Sequence, residues 1–518
     1  MRRHWTRQDL QNASLWWIAS LSVGGRTYRW AESPLVVASD SGSLAIGGGL
    51  QGAQVSQTAP WLGLQPETRQ ATLDLSPSLG ANPAALLSAR YMLDGSAIEV
   101  ALWRAGDAWE ERQVLLSGFV TGYDWGGPDE VLSIEGTESA LQDRGMIPDP
   151  GAVVTSTTWP ASAASAVGLF YPTILGAPGS DGTLGAVALV VEVTAGAAVT
   201  LLVAGHPVSA TSCTVSDGTT SAVLTIATQA DGLGRLVSTV DLTGSGLFDP
   251  ALTYQTAWDQ GGAGLLSISG NAAAIGAGSV LEAVLALSTL PVDRGSLASA
   301  RDFLDAYRVG AFVQQQLSPL DWVTKAILPL LPVAVLTGPD GWRVVPIPMA
   351  PTDADCVATL YAGDGYTQVV RLDRAQRAGF DDVANEIEVK YSLDLATNAS
   401  SKSARMSGAG FVAGNAHTDL SSRMSTQTYG RRVKTLETVA VYDDSTAYRI
   451  LRWQSIAYGF TRTVLRYSCV QEYAFLAPGN LVRIVDSLLQ IDRAAWVQRV
   501  DLTSDGRVEL ELVIWEYP

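Results

Sequence analysis

Strand-length runs of β-branched, aromatic and aliphatic residues, each stopped by glycine, proline or an Asp-Gly pair, recur along this chain. That rhythm constrains the fold more than any other feature. Short alternating runs between turn residues build antiparallel sandwiches or barrels and leave little room for long helices. Residues 14–23 and 27–30 flank a glycine turn, and 97–103 alternates in part, as a half-buried strand does. Residues 113–123 follow, and a turn at 126–129 leads into 131–135. Thr137 is placed to cap a short helix reaching Arg144, before the proline-rich break at 147–151. Beyond it, 184–193, 198–203, 212–215, 222–228 and 236–242 read as strands, with turns at Asp217-Gly218 and Asp231-Gly232.

The length of 518 residues accommodates roughly three or four domains of about 150 each. Charged residues are 16%, below the roughly 25% usual for soluble domains, and the chain is rich in glycine, serine and threonine. The net charge of -17 argues against a dedicated nucleic-acid binder, which carries a basic patch or stripe. Lysines are only Lys325, Lys390, Lys402 and Lys434; the arginines that dominate suit fixed, bidentate contacts. Residues 151–290 hold one basic residue, Arg235, against eight acidic ones, which marks an independent β-domain inserted into a larger architecture. Trp159, Tyr254 and Trp258 in it are candidates for stacking on a glycan, although such rings also serve cores and interfaces.

Apart from the short segment after Thr137, helical patterns fall in the second half. Ser296 is placed to cap a helix over 297–308, with Leu297, Ala300, Phe303, Leu304 and Tyr307 on one face. Ser318, with Pro319 behind it, caps a second helix, and a hairpin of 333–336 and 342–345 follows. Residues 392–424 lack periodicity and read as a loop or arm. A third helix begins near Ser445, supported by Asp443 and Asp444, with Ala447, Ile450, Leu451 and Tyr458 on its apolar side. Arg449 and Arg452 stand together on it, and Arg431 and Arg432 precede it; these four are candidate subunit-interface residues, with a solvated basic edge as the plainer alternative.

No constellation carries chemistry. Cys213, Cys356 and Cys469 are far apart, and His4, His206 and His417 have no metal-ligand spacing, so no metal or cofactor is expected. No Gly-x-Ser-x-Gly elbow occurs, and adjacent carboxylates such as Asp381/Asp382 point to opposite faces of a strand, a poor catalytic pair. No catalytic residue is assigned. The basic start is not followed by an apolar run, so no export signal is expected.

Taken in order, the turn at 425–432, the capped helix at 443–453, the turn and strand at 477–485 and the closing hairpin at 497–512 resemble the C-terminal hub domain of tailed-bacteriophage tail hub (baseplate hub, tail-tip) proteins. The helix at 318–328, the hairpin ending in 340–345 and the strand at 383–391 resemble the same family. An internal echo fits it too: Val120–Asp124 and Val497–Asp501 each precede a turn and a closing strand, from Val131 and Val508.

The resemblance implies a mainly β, minor α, multi-domain fold: two tail-tube-like antiparallel β-barrels, an inserted β-domain and a helix-containing hub domain. The corresponding domains are an N-terminal barrel at 1–150, the insert at 151–290, a helix-hairpin connector at 291–391, the arm at 392–424 and a C-terminal barrel at 425–518. It further implies a structural, non-enzymatic virion protein, made in a bacterial cytoplasm and placed at the tail tip or baseplate. There a homotrimeric ring would join the hexameric tail tube and distal tail proteins to a trimeric tip, central fibre or spike. A tape-measure protein is a further possible partner, and DNA would pass through transiently without specific binding. A host-recognition or carbohydrate-binding tail protein, or a tail-associated cell-wall hydrolase, are the competing readings.

Overall fold

The computed structural model describes residues 10, 14–59, 68–77, 86, 93–127, 130–138, 145–258, 275–289, 291–338, 341–363, 370–377, 379–408, 416–418 and 420–515. The described chain is mainly β with minor α, as the turn rhythm requires. In order, the first strands are β1 (Leu15–Val23), β2 (Arg26–Trp30), β3 (Leu35–Ser39), β4 (Gly42–Ile46), β5 (Leu50–Thr58), β6 (Gln70–Leu75), β7 (Ala97–Arg104), β8 (Gln113–Trp125) and β9 (Leu132–Glu138). Then come β10 (Thr173–Gly176), β11 (Ala186–Thr194), β12 (Ala197–Ala204), β13 (Ser212–Ser216), β14 (Ser221–Ala230), β15 (Leu236–Asp241) and β16 (Tyr254–Ala257). Helices α1 (Ala277–Leu285) and α2 (Arg294–Leu304), β17 (Gly310–Val313), α3 (Pro319–Ala326), β18 (Val333–Gly338), β19 (Gly341–Pro346), β20 (Ala358–Ala362) and β21 (Val370–Arg377) follow. The chain continues with β22 (Glu386–Asp394), β23 (Ala399–Ser407), β24 (Ala416–Thr418), α4 (Leu420–Tyr429), β25 (Val433–Glu437) and α5 (Asp444–Tyr458). It closes with β26 (Arg462–Val470), β27 (Leu481–Asp486), β28 (Ile491–Thr503) and β29 (Arg507–Trp515).

The chain divides into two compact units. The first gathers residues from 1–142, 334–379 and 462–516. Its sheet runs β2-β1-β7-β8-β9-β6-β5-β28-β29-β26-β21, with β27 and β20 continuing from the other half of β28. Each of the two lobes therefore has the same five-strand order, β7-β8-β9-β6-β5 and β27-β28-β29-β26-β21, and β5 joins them by pairing with β28. The likeness extends to detail. β8 and β28 are both thirteen residues long. Each carries a bulge at a matched place, between Val120 and Gly122 in one and between Val497 and Arg499 in the other. The amides of Gly95 and Val120 donate to Val120 O and Ser96 O, and those of Gly479 and Val497 donate to Val497 O and Asn480 O in the same pattern. Gly95 and Gly479 both have positive φ (77° and 88°), a backbone state that costs glycine little. The echo read in the sequence thus lies on matched hairpins, with one correction. The residue matched to Val508 is Leu132, which faces Trp125 as Val508 faces Leu502. Val131 lies outside β9, because the first turn is one residue longer.

One buried cluster fills both lobes, including Leu73, Val100, Leu116, Ile134, Leu465, Val482, Val497, Leu510 and Leu512. Buried residues alternate with more exposed ones along strands such as β5, β6 and β26, the period-two pattern that fixes register when one face is buried, whereas β1 and β7 carry continuous buried runs. Thr137 and Glu138 finish β9 and do not start a helix; the remainder of that expected helix lies outside the described residues.

The second unit gathers residues from 143–333 and 380–461. It contains the closed barrel β11-β12-β15-β14-β13-β16 and the sheet β24-β23-β22-β25. Leu201, Val203, Val215, Val240, Tyr254 and Trp258 belong to the core that includes the barrel interior. α2 is capped by Asp293, whose side chain accepts from Gly295 N, and Ser296 is not the cap because its hydroxyl donates to Asp293 O. Ser318 does cap α3, accepting from Asp321 N at 3.0 Å. Residues 392–424, expected to be an arm, contain β23, β24 and the start of α4. The expected barrel at 425–518 is divided: α4, β25 and α5 belong to the second unit, while β26–β29 complete the first. The reason is pairing: β25 pairs in parallel with β22, whereas β26 pairs with β21 and β29.

Candidate functional site

Asp443 is the N-cap of α5. Its carboxylate accepts from Thr446 N (2.8 Å), Thr446 Oγ1 (2.9 Å) and Ser445 Oγ (2.6 Å). Burial alone would raise this carboxyl, but those donors hold it below its ordinary value. Ala447, Ile450 and Leu451 are buried, as the sequence pattern requires, and Tyr458 lies under the Lys434 ammonium, 3.0 Å from the ring centroid. Arg449 and Arg452 are exposed on the opposite side. The Tyr307 hydroxyl is pushed up to about 12 by burial, and the charges of Arg449 and Arg452 oppose that shift. Arg308 donates its amide to Thr446 Oγ1 (2.9 Å), which adds a third exposed cation to this end of α5.

Arg431 and Arg432 are not part of that cluster. Arg431 grips Glu386 with two hydrogen bonds, of 2.6 and 2.8 Å, and Arg405 pairs with the same carboxylate. Glu386 is buried, so the two arginines neutralise a charge that would otherwise be costly there. The Arg432 amide donates to Asn385 Oδ1 at 2.9 Å, tying the segment after α4 to the residue before β22.

Two of the three candidate glycan-stacking aromatics are covered in this structure. Tyr254 and Trp258 are 0% and 1% exposed and belong to the core around the barrel, since both rings flank the inward-facing Thr256 and its neighbours. A sugar cannot reach rings that are already covered. Trp159 is half-buried and donates to Tyr171 Oη (3.1 Å), which donates to buried Asp231 (2.9 Å).

Sequence reasoning passed over the surface of the first unit's sheet. There the register aligns Arg374, Arg466, Glu511 and Arg499 across β21, β26, β29 and β28. Glu511 accepts from Arg466 Nε (2.7 Å) and from Gln498 Nε2 (2.8 Å). β21 is the last strand of the sheet, and Arg371, Arg374, Ala375 and Gln376 on it are exposed. Three arginines at 371, 374 and 377 in one short strand were the available signal. A charged edge strand resists indiscriminate pairing but can accept a complementary strand.

No protein-family model and no curated protein matches the chain. Among solved structures it is similar to a tail protein from Neisseria meningitidis, at 11% identity and a TM-score of 0.42, over 96% of this chain and 96% of that one. It is similar to a prophage tail protein from Shewanella oneidensis at 10% identity and a TM-score of 0.37, again over 96% of each chain. A prophage tail protein from Listeria monocytogenes is similar at 8% identity and a TM-score of 0.36, over 93% of this chain and 94% of that one.

Proposed function

We propose that this chain is a structural virion protein, a phage tail or baseplate hub. It forms a homotrimeric ring that joins a hexameric tail tube to a trimeric tip, fibre or spike, and it forms part of the channel for DNA. The observation that carries this reading is the doubled lobe of the first unit: two five-strand arrays of one order, with matched bulges, in one chain. Three such chains present six similar arrays to a sixfold partner while keeping threefold symmetry toward the tip. The ordered C-terminal segments that resemble tail hub proteins support the same reading. Tail tube, distal tail and tape-measure proteins are the partners it implies, and DNA passes without specific contacts. The net charge of -17 suits such passage, because like charges repel.

Arg308, Arg449 and Arg452 are the second unit's proposed contacts to acidic surfaces of neighbouring copies. Arg431 and Arg432 are weaker interface candidates, because Arg431 already holds Glu386 within the chain and Arg432 is tied to Asn385. Native mass measurement of the purified chain, with imaging of assembled particles, tests the reading. A trimer located at the tail tip is the expected result. A chain that stays monomeric at high concentration and makes no threefold contacts in particles overturns it.

A further inference from the structure

The joint between the two lobes inside one chain specifies a joint between two chains. Inside the chain, the second half of β28 leaves β27 after Trp496 and pairs with β5: Val500 faces Gln57, Asp501 faces Ser56, Leu502 faces Val55 and Thr503 faces Gln54. β8 is built in the same way. Its ladder with β7 ends at Phe119, and Val120 is closed off by Gly95 and Ser96. From Gly122 to Trp125 it pairs only with β9, and among the described residues no strand pairs with its other side.

The register identifies the matching edge. Gly122 faces Glu135, Glu135 faces Thr72, and Thr72 faces Gln54. In the second lobe Arg499 faces Glu511, Glu511 faces Arg466, and Arg466 faces Arg374. Arg374, Ala375 and Gln376 therefore occupy the places of Gln54, Val55 and Ser56. The latter are covered by β28; the former lie on the outer edge of the sheet's last strand. Exposure follows the same division. Val500 is 4% exposed, while its counterpart Tyr123 is 46% exposed. Asp501 is buried against β5, while its counterpart Asp124 is exposed.

We propose that the occupant of the β21 edge is the second half of β8 from another copy of this chain. The two strands pair antiparallel in the register of β28 on β5, so that Asp124 of one copy faces Gln376 of the next and Trp125 faces Ala375. Charge favours the match: the β8 end carries exposed Asp124, Glu130 and Glu135, and the β21 edge carries exposed Arg374 and Arg377, while Arg371 is paired with Asp373 on the same strand (3.0 Å). The same surface cannot serve both sides, so the joint is head to tail, and its repetition closes a ring when the rotation divides a full turn, as the proposed threefold assembly requires. Each chain then contributes two nearly equivalent steps, one inside it and one to its neighbour. This inference rests on the proposed assembly of copies and assigns its contact.

Cysteine pairs test it in the full chain with the partly exposed native thiol removed (Cys356→Ser). Asp124→Cys with Gln376→Cys, and Tyr123→Cys with Arg377→Cys, place thiols on directly opposed residues, within the Cα reach of a disulfide of about 7 Å. Oxidation is expected to give a covalent ladder ending at the closed oligomer, with either single cysteine giving none. In parallel, Arg374→Glu or Asp124→Arg is expected to weaken association about tenfold, and the double exchange to restore it. If mass measurement shows a ring but neither pair cross-links and the charge exchange does nothing, the strand joint is wrong and the assembly reading survives. A chain that remains monomeric sinks both.

Discussion

Glu138 illustrates what a single side chain does where the sheet is closed to water. It is 2% exposed, accepts from Arg69 N at 3.0 Å and from the Thr337 hydroxyl, and has the Arg69 guanidinium 3.8 Å away. Burial pushes its carboxyl up, and Arg69 opposes the shift only in part. The folded chain therefore holds this proton more tightly than the unfolded chain does. The stability that follows is present below the ordinary carboxylate range and is lost as pH rises through the folded value. Glu138→Gln keeps the shape and removes the titration. Its Tm is expected to exceed that of the wild type most near about pH 8, with the gap narrowing toward about pH 4. Calorimetry of both proteins across that range checks it, and a pH-independent gap would exclude the mechanism. None of this was legible in the sequence, where Glu138 looked like part of a helix start. Its partners come from 69 and 199 residues away, so no local pattern announces them.

Local signals were read best where one residue type satisfies one backbone need. Ser318 with Pro319, and Asp443 before α5, are caps of that kind, because each supplies an acceptor to amides the helix leaves open. Asp443→Ala is expected to cost about 1 kcal/mol of stability in the second unit. Hydrogen exchange at the amides of 444–447 is the local check; unchanged protection there would show that Thr446 and Ser445 cap the helix without it. The α2 cap was misread because Asp293 and Ser296 both fit the pattern; the helix starts at Arg294, so Asp293 caps it and Ser296 lies inside the first turn. β23 was missed for a different reason. Only Ala404 and Met406 on it are buried, so serine dominates a strand whose identity comes from pairing with β22. At the proposed joint, Val120–Asp124 and Val497–Asp501 were visible as an echo, but the edge that receives them was not, because β5 and β21 share register without sharing sequence.

At the scale of the whole molecule, the sequence suggested consecutive domains, whereas the chain weaves two units from separated segments. Mainly β character followed from turns and alternation, which are local; which strands share a sheet depends on pairings such as β5 with β28, across more than four hundred residues. This makes a specific demand on a truncated chain ending at Thr461. Such a chain keeps the segments 143–333 and 380–461 that make up nearly all of the second unit, including the closed barrel. It loses β26–β29, and with them Leu465, Tyr467, Val482, Ile484, Val497, Leu510 and Leu512 from the core that both lobes share. The remaining lobe would expose the β5 edge, with Val55 and Gln57 now open, to water and to other chains. At about 25 cal/mol per Å2 of apolar surface, losing this many buried side chains exceeds the few kcal/mol by which domains are stable. Hydrogen exchange on the truncated chain is therefore expected to show protection retained in β11–β16 and α5 and lost across β1–β9. Native-like protection of β1–β9 would mean that the N-terminal lobe folds alone and that β28 is only docked onto it.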